Sequence, residues 1–422
     1  MKGFFKLVKS EVLPVVLPSV ITGLTVGIAV FLFKVAAEFA AKFSKVFYAF
    51  ASKGLWQSAV CLAVITVLSV AAFFIAGKFP FSKGGGIPLA FAIGKFKLKI
   101  DAIGTFFATF VSAVITFFVG VPLGTEGPSV SLGALCGYKI SKNESKEEIT
   151  NAAAGAGFCA ATGSALGGFL FSIEEMKGKI KAKQITAILF CTLFSYALSS
   201  LLCGLFHVHF SLFSKFNFAK FPVSLAFLPI LAGVLCSVAA FAFTKFTVKI
   251  RKIFKKFRFY KILIIFVLTF FAAMFFSNAT GSGQGLISVL FAENPLWFPI
   301  VALVVLRCIF LVFSNSAGIT GGTFLPLLAL GALMGGICFL CCSKIGLAPS
   351  GSEIYFILLF MAAFIGAVNK IPFTVTAFLC ETFCGFNTLL PLLVATTVSC
   401  GLFSLICKQD LNEKIAEELK GC

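Results

Sequence analysis

Apolar runs of about 20 residues, the length that carries a helix across a bilayer, recur along this whole chain. The clearest cover 13–32, 55–75, 102–119, 185–205, 223–243, 262–276, 299–313 and 389–406, and others are shorter or broken by glycine. Inside hydrocarbon every backbone polar group needs a partner within the protein, so runs of this kind fold as helices. Only 12% of the 422 residues are charged, about half the share of a soluble domain. The pattern predicts an all-α polytopic membrane protein. The stretch beyond 406 has the length of one short amphipathic helix, which predicts no separate soluble domain. The first run stays apolar to about residue 40 without a small-residue cleavage site, so a retained span is expected rather than a cleaved leader.

Net charge is +19, from 35 Lys and Arg against 16 Asp and Glu. In a soluble protein that excess would suggest a nucleic-acid partner. Here the cations sit in short loops between apolar runs, the pattern of cytoplasmic loops, so no nucleic acid is expected. Lys177, Lys179, Lys181 and Lys183 form one basic loop; Lys249, Arg251, Lys252, Lys255, Lys256, Arg258 and Lys261 form another. Two apolar runs separate them, which puts both loops inside and His207-Val208-His209 outside. Most of the 15 cysteines lie in apolar runs, where Cys acts as a small hydrophobe. Cys338, Cys341 and Cys342 are read as core and His207 and His209 as a solvated loop, so no metal site is expected. No GxxxxGK[ST] phosphate loop occurs, and nothing suggests an enzyme.

An internal repeat organises the chain. Pro128–Gly137 aligns with Pro326–Gly335, and Pro, Leu, Gly, Ala, Leu and Gly recur at a spacing of 198 residues. Each copy follows a glycine-rich turn and has Pro in its first helical turn, a favoured place for Pro. A looser echo follows. In the first half a small-residue helix breaks at Gly163-Ser164-Ala165 and resumes as an apolar helix ending in Glu174-Glu175. In the second half the break is Asn369-Lys370-Ile371-Pro372 and the run ends in Glu381. The expected division is 1–205 for the first helical repeat, 206–409 for the second and 410–422 for a short C-terminal helix. Duplicated transporters place their sites where such halves meet.

Three glycine-rich helix starts stand out: Gly84-Gly85-Gly86-Ile87-Pro88, Gly124-Thr125-Glu126-Gly127-Pro128 and Gly321-Gly322-Thr323-Phe324-Leu325-Pro326. Helix N-termini offer unpaired N–H groups and the positive end of a dipole. Glycine lets a ligand come close to the backbone. Together they bind an anion without a full positive charge. One such start alone reads as a flexible loop or a close helix crossing; three together point to an anion site. A carboxylate in an apolar protein is costly unless it serves a function, and Glu126 stands where the anion would. Ionised, it competes with the anion; protonated, it yields the place, which couples anion occupancy to a proton. The other reading is a helix-capping acceptor. Glu174 and Glu175 read either as functional or as a solvated helix end near Lys177.

These motifs, in this order, resemble the CLC family of chloride channels and chloride/proton exchangers. The family carries GSGIP, G(R/K)EGP and GxFxP motifs, and a stretch similar to Phe171–Met176 around an internal proton-relay glutamate. It also has one similar to Ile371-Pro372-Phe373-Thr374 with Glu381 following. The resemblance covers about residues 10–406. It implies an inverted repeat of two helical halves with about 16–18 helices, in a homodimer with one pathway per subunit. It implies that Glu126 gates and carries the proton and that Glu175 is the inner proton-transfer glutamate, which favours an exchanger. The anion-facing set is then Gly85, Gly86, Ile87, Glu126, Gly127, Thr323 and Phe324.

The chain departs from the family pattern at four places. Gly85 replaces the anion-coordinating Ser, Thr125 replaces a basic residue, Gly163-Ser164-Ala165 replaces an Asn-Ala-Pro turn, and no Tyr follows Tyr355 to serve as second central ligand. The expected function is chloride/proton exchange without a cofactor, in the plasma (inner) membrane of a prokaryote. The alternatives are a passive anion channel, an exchanger for fluoride or nitrate, and a scaffold or anion sensor that has lost transport.

Overall fold

The computed structural model describes residues 13–420, apart from 97, 142–144, 177–180, 214, 217, 219, 258–259, 293–296 and 350. Among the described residues there are 17 α-helices. They are α1 Leu13–Ala51, α2 Leu55–Lys78, α3 Ile87–Phe96, α4 Ala102–Val119, α5 Glu126–Ile140, α6 Lys146–Thr162, α7 Ala165–Met176 and α8 Ala182–Leu205 in the first half. Then come α9 Leu228–Phe254, α10 Tyr260–Phe275, α11 Gln284–Ala292, α12 Trp297–Ala317, α13 Phe324–Lys344, α14 Glu353–Asn369, α15 Pro372–Leu379, α16 Leu389–Ile406 and α17 Leu411–Leu419. Eight helical segments are long and apolar enough to cross a bilayer, and the chain is a multi-pass integral membrane protein.

The helices pack by the logic of lipid rather than water. On α8 the large residues Leu189, Leu193, Leu201 and Leu205 face outward, while Cys191, Ser195 and Ser199 are buried. Lipid is as apolar as leucine, so small residues make the interface. Gly23 on α1 lies so close to α8 that a Cβ would sit 2.6 Å from the Cys191 carbonyl oxygen. Ser199 Oγ donates to the Gly27 carbonyl across the same seam at 3.2 Å. The outcome is a short-range fit that a bulkier residue would force apart.

Helix contacts in the first eight helices recur in the second eight. The pairs α1–α8, α1–α6, α5–α6 and α6–α8 are matched by α9–α16, α9–α14, α13–α14 and α14–α16. The central helices α6 and α14 are buried along nearly their whole length. The repeated glycines have a common cause. A Cβ on Gly133 would overlap the Ala153 carbonyl on α6, and one on Gly331 would lie 2.6 Å from the Phe360 carbonyl on α14. The halves meet antiparallel: Gly124 N–H donates to the Gly322 carbonyl, and Gly322 N–H to that of Gly124, both at 2.7 Å. Such reciprocity is what a local two-fold axis produces. Beyond both halves, α17 is an amphipathic helix started by an Asp410/Glu413 capping box and docked against α3.

Candidate anion pathway

The three glycine-rich starts come together at one point, although 237 residues (84 to 321) separate the first from the last. Gly84 N–H donates to the Gly318 carbonyl at 3.2 Å, and Gly321 N–H to that of Gly84 at 3.3 Å. A Cβ on Gly127 would overlap the Gly85 carbonyl and lie 2.7 Å from the Cα of Gly322. A Cβ on Gly86, which has φ +77°, would overlap the Gly127 carbonyl. No side chain fits at Gly86, Gly127 or Gly322, so the starts of α3, α5 and α13 can meet this closely only on glycine there. Their first turns carry Ile87, Glu126 and Phe324, and Thr323 precedes α13.

Glu126 is the first residue of α5 and is fully buried. Thr125 Oγ1 donates to its Oε1 at 3.2 Å. The N–H groups of Glu126 itself and of Leu325, in the first turn of α13, face the carboxylate. Its Oε2 has no hydrogen-bond partner among the described residues. A carboxylate thus rests against two helix N-termini from opposite halves, one oxygen held and the other unpaired. That is a place an anion could take over.

A cavity of about 370 Å³ lies on one side, lined by Ile87, Ala90, Phe171, Glu147, Glu175 and Glu413. A second, of about 170 Å³, is lined by Lys34, Gly124, Thr125, His209, Gln284 and Leu325. A chain of buried rings connects the Glu175 side to the start of α13: Phe171 stacks on Phe158 at 5.1 Å, and Phe158 meets Phe324 edge-on at 5.0 Å. Glu175 therefore lines one cavity while the residues beside Glu126 line the other.

Glu174 and Glu381 have a different role. Glu174 accepts from the N–H groups of Phe373 at 2.9 Å and Thr374 at 2.8 Å, and from the Thr374 hydroxyl. Glu381 accepts from Ser164 Oγ at 2.6 Å and from the N–H groups of Ala165 at 3.1 Å and Leu166 at 2.9 Å. Glu174 caps α15, and Glu381, in the π-helical turn Cys380–Cys384 that continues α15, caps α7, so the two helices hold each other head to tail. Pro372 has no N–H, which shifts the second pair one residue along. The solvated reading of Glu174 is corrected here: it is a half-buried cap. Its expected neighbour Lys177 falls outside the described residues.

A family model described as voltage gated chloride channel matches residues 68–404. This chain belongs to that family. It is 23% identical over 354 residues to the H(+)/Cl(-) exchange transporter ClcA of Yersinia pestis bv. Antiqua, covering 81% of this chain and 73% of the relative. It is 25% identical over 295 residues to ClcA of Salmonella paratyphi B, covering 67% and 62%. Among solved structures, a slow cyanobacterial Cl−/H+ antiporter superposes with TM-score 0.87 at 18% identity, covering 96% of this chain and 98% of that one. A CLC-type fluoride/proton antiporter superposes with TM-score 0.78 at 18% identity, covering 94% and 96%. At these identities the superpositions speak to the fold.

Within this CLC frame the last helix begins at Leu411, which is buried. Neither Gly85 nor Leu411 offers a hydroxyl. Sequence reading passed over two buried cations that the fold brings near the site. Lys34 on α1 lines the smaller cavity. Arg307 on α12 donates to the carbonyls of Asn278 and Thr280, both at 2.9 Å, and fixes the turn whose Gly281 lines that cavity. Both were visible as lone cations in apolar runs, a pattern that marks function in membranes.

Proposed function

We propose that this chain exchanges a small inorganic anion, chloride in the first place, for protons across the inner membrane of a prokaryote. It does so as a homodimer with one pathway per subunit. The observation that carries the reading is Glu126: a fully buried carboxylate at the meeting point of two helix N-termini, with one oxygen unpaired. The ClcA relatives are H(+)/Cl(-) exchange transporters by name. By the charge rule, the His209-side cavity opens outward and the Glu175-side cavity inward. We assign 1–205 and 206–409 to the two transporting halves and 410–422 to the C-terminal helix.

The cycle follows from charge. Ionised Glu126 occupies the N–H groups of Glu126 and Leu325 and closes the path. An anion arriving from the inner side competes for those donors, and the displaced carboxylate takes up a proton from outside. Neutral, it no longer competes, and the anion passes. The proton then leaves toward Glu175 and the inner cavity, and the carboxylate returns. Partial charges at helix ends bind and release an anion, whereas a full cation at the same point would hold it.

Vesicles holding the full chain under an imposed chloride gradient test this. Protons moving uphill support exchange; chloride flux without proton movement contradicts it. A passive channel is the second reading, and it has a specific observation behind it. Gly85 carries no hydroxyl and no Tyr follows Tyr355, so two groups that narrow the inner path in the family pattern are missing from this sequence. The same loss supports testing fluoride and nitrate beside chloride in one flux panel.

A further inference from the structure

Lys34 is a buried cation to which the exchange cycle gives no task. It is 8% exposed, on the face of α1 turned toward the α6 end and the loop after α8. Its ammonium donates to the Phe210 carbonyl at 2.6 Å and the Ala161 carbonyl at 3.3 Å. An ammonium has three N–H groups, so two carbonyls leave one over. Lys34 lines the same cavity as Thr125, His209 and Gln284, and the Glu126 carboxylate lies within its electrostatic reach. The other carboxylate on that wall, Glu38, also lies within electrostatic reach of Lys34 and faces Lys42 along the helix surface at 4.0 Å. Position 125, where the family pattern has a basic residue, is here Thr125.

We infer that Lys34 supplies from α1 the fixed positive charge that Thr125 does not, making the His209-side cavity a reception site for a small monovalent anion in front of Glu126. This rests on the transport reading above. The two carbonyls do two things. They hold the ammonium in place, and their partial negative charge tempers its field, so an arriving anion is concentrated without being trapped. A cleft with low-dielectric walls focuses such a field. The amide of Gln284 gives one N–H to the Leu212 carbonyl and carries no charge, which leaves the lysine as the cavity's cationic donor. A plain alternative is that Lys34 only ties the α6 end to the loop at Phe210.

The test is flux by the full chain in vesicles, with chloride varied on one face at a time. Lys34→Met raises the half-saturating chloride on the outer face about tenfold and leaves the inner face nearly unchanged. Adding Thr125→Arg to Lys34→Met puts a charge back on the same cavity wall and restores the outer value. A mere tie would not be mended by a charge on another helix. An unchanged outer value in Lys34→Met, or a failure of the double variant to recover it, overturns the inference. Should Lys34→Met fail to fold, the wild type still decides. The outer half-saturation should climb with ionic strength more steeply than the inner one, and equal dependence overturns the inference. Wild-type vesicles that move no chloride would instead overturn the transport reading and take this inference with it.

Discussion

At the first position of α5 stands Glu126; at the first position of α13, its counterpart in the other half, stands Phe324. Both are preceded by Thr, and the glycines before them, Gly124 and Gly322, exchange backbone hydrogen bonds. The scaffold is duplicated and the charge is not. The same contrast recurs one helix pair later. Glu174 and Glu381 are matched, and each caps the other's helix. Glu175 lines a cavity, while the residue after Glu381 is Thr382, whose hydroxyl only bonds back to the Phe378 carbonyl at 2.7 Å. Groups that hold the fold come in pairs across the axis. The carboxylates proposed to carry a proton, Glu126 and Glu175, stand on one side alone.

The comparison can be broken, and the largest effect is expected at the paired glycines. Gly133→Val and Gly331→Val each push a side chain into a carbonyl on the facing helix. Each should cost about 3 kcal/mol, the upper end of what overpacking usually costs, read as loss of monodisperse protein in detergent. If only one of the two fails, the halves are not equivalent scaffolds. Next comes Glu175→Gln. It should cut proton flux about 100-fold with melting temperature unchanged, whereas Thr382→Val should do neither.

The paired caps should behave as structure. Glu174→Ala and Glu381→Ala each leave two backbone donors unpaired, at about 1–3 kcal/mol. Thermal unfolding should show similar losses for both, with the anion-to-proton ratio preserved in whatever protein survives. A changed ratio in one of them would move that glutamate into the pathway.

The smallest effect belongs to α17, which has no counterpart. Glu418 bonds Arg251 Nε at 2.6 Å and lies 3.1 Å from Lys255 Nζ. Burial works against its charge, but Arg251 and Lys255 outweigh burial and hold its carboxyl below the usual range. A depressed carboxylate stabilises above its unfolded pKa, about 4.3, and that contribution fades as pH falls through the lower folded value. Glu418→Gln should therefore lower stability by less than about 1 kcal/mol at pH 7, and the difference from wild type should shrink as pH falls below about 4 and vanish only below the lower folded value.

Much of the scaffold was legible because lipid makes apolar length and glycine speak plainly. The runs at 102–119 and 389–406 coincide with α4 and α16. The first helix was harder. Its apolar run gives out near residue 40, yet α1 continues to Ala51, about 58 Å in all. Polar residues such as the Glu38–Lys42 pair, at 4.0 Å, interrupt an apolar pattern without interrupting a helix. The contacts that could not be read are those joining residues far apart in the chain. Lys34 meets Phe210, and Glu381 meets Ala165. Spacing along one helix says nothing of either. The buried ring of Phe158, which joins Phe171 to Phe324, was likewise indistinguishable in advance among 56 phenylalanines.

The asymmetry at the two helix starts rests above all on Glu126, and one paired measurement tests it. Chloride and proton movement are followed together in vesicles holding either wild-type protein or Glu126→Gln. The wild type should drive protons uphill on a chloride gradient. Glu126→Gln, a permanent mimic of the neutral carboxyl, should pass chloride while proton movement disappears. Proton coupling that persisted unchanged in Glu126→Gln would contradict the account.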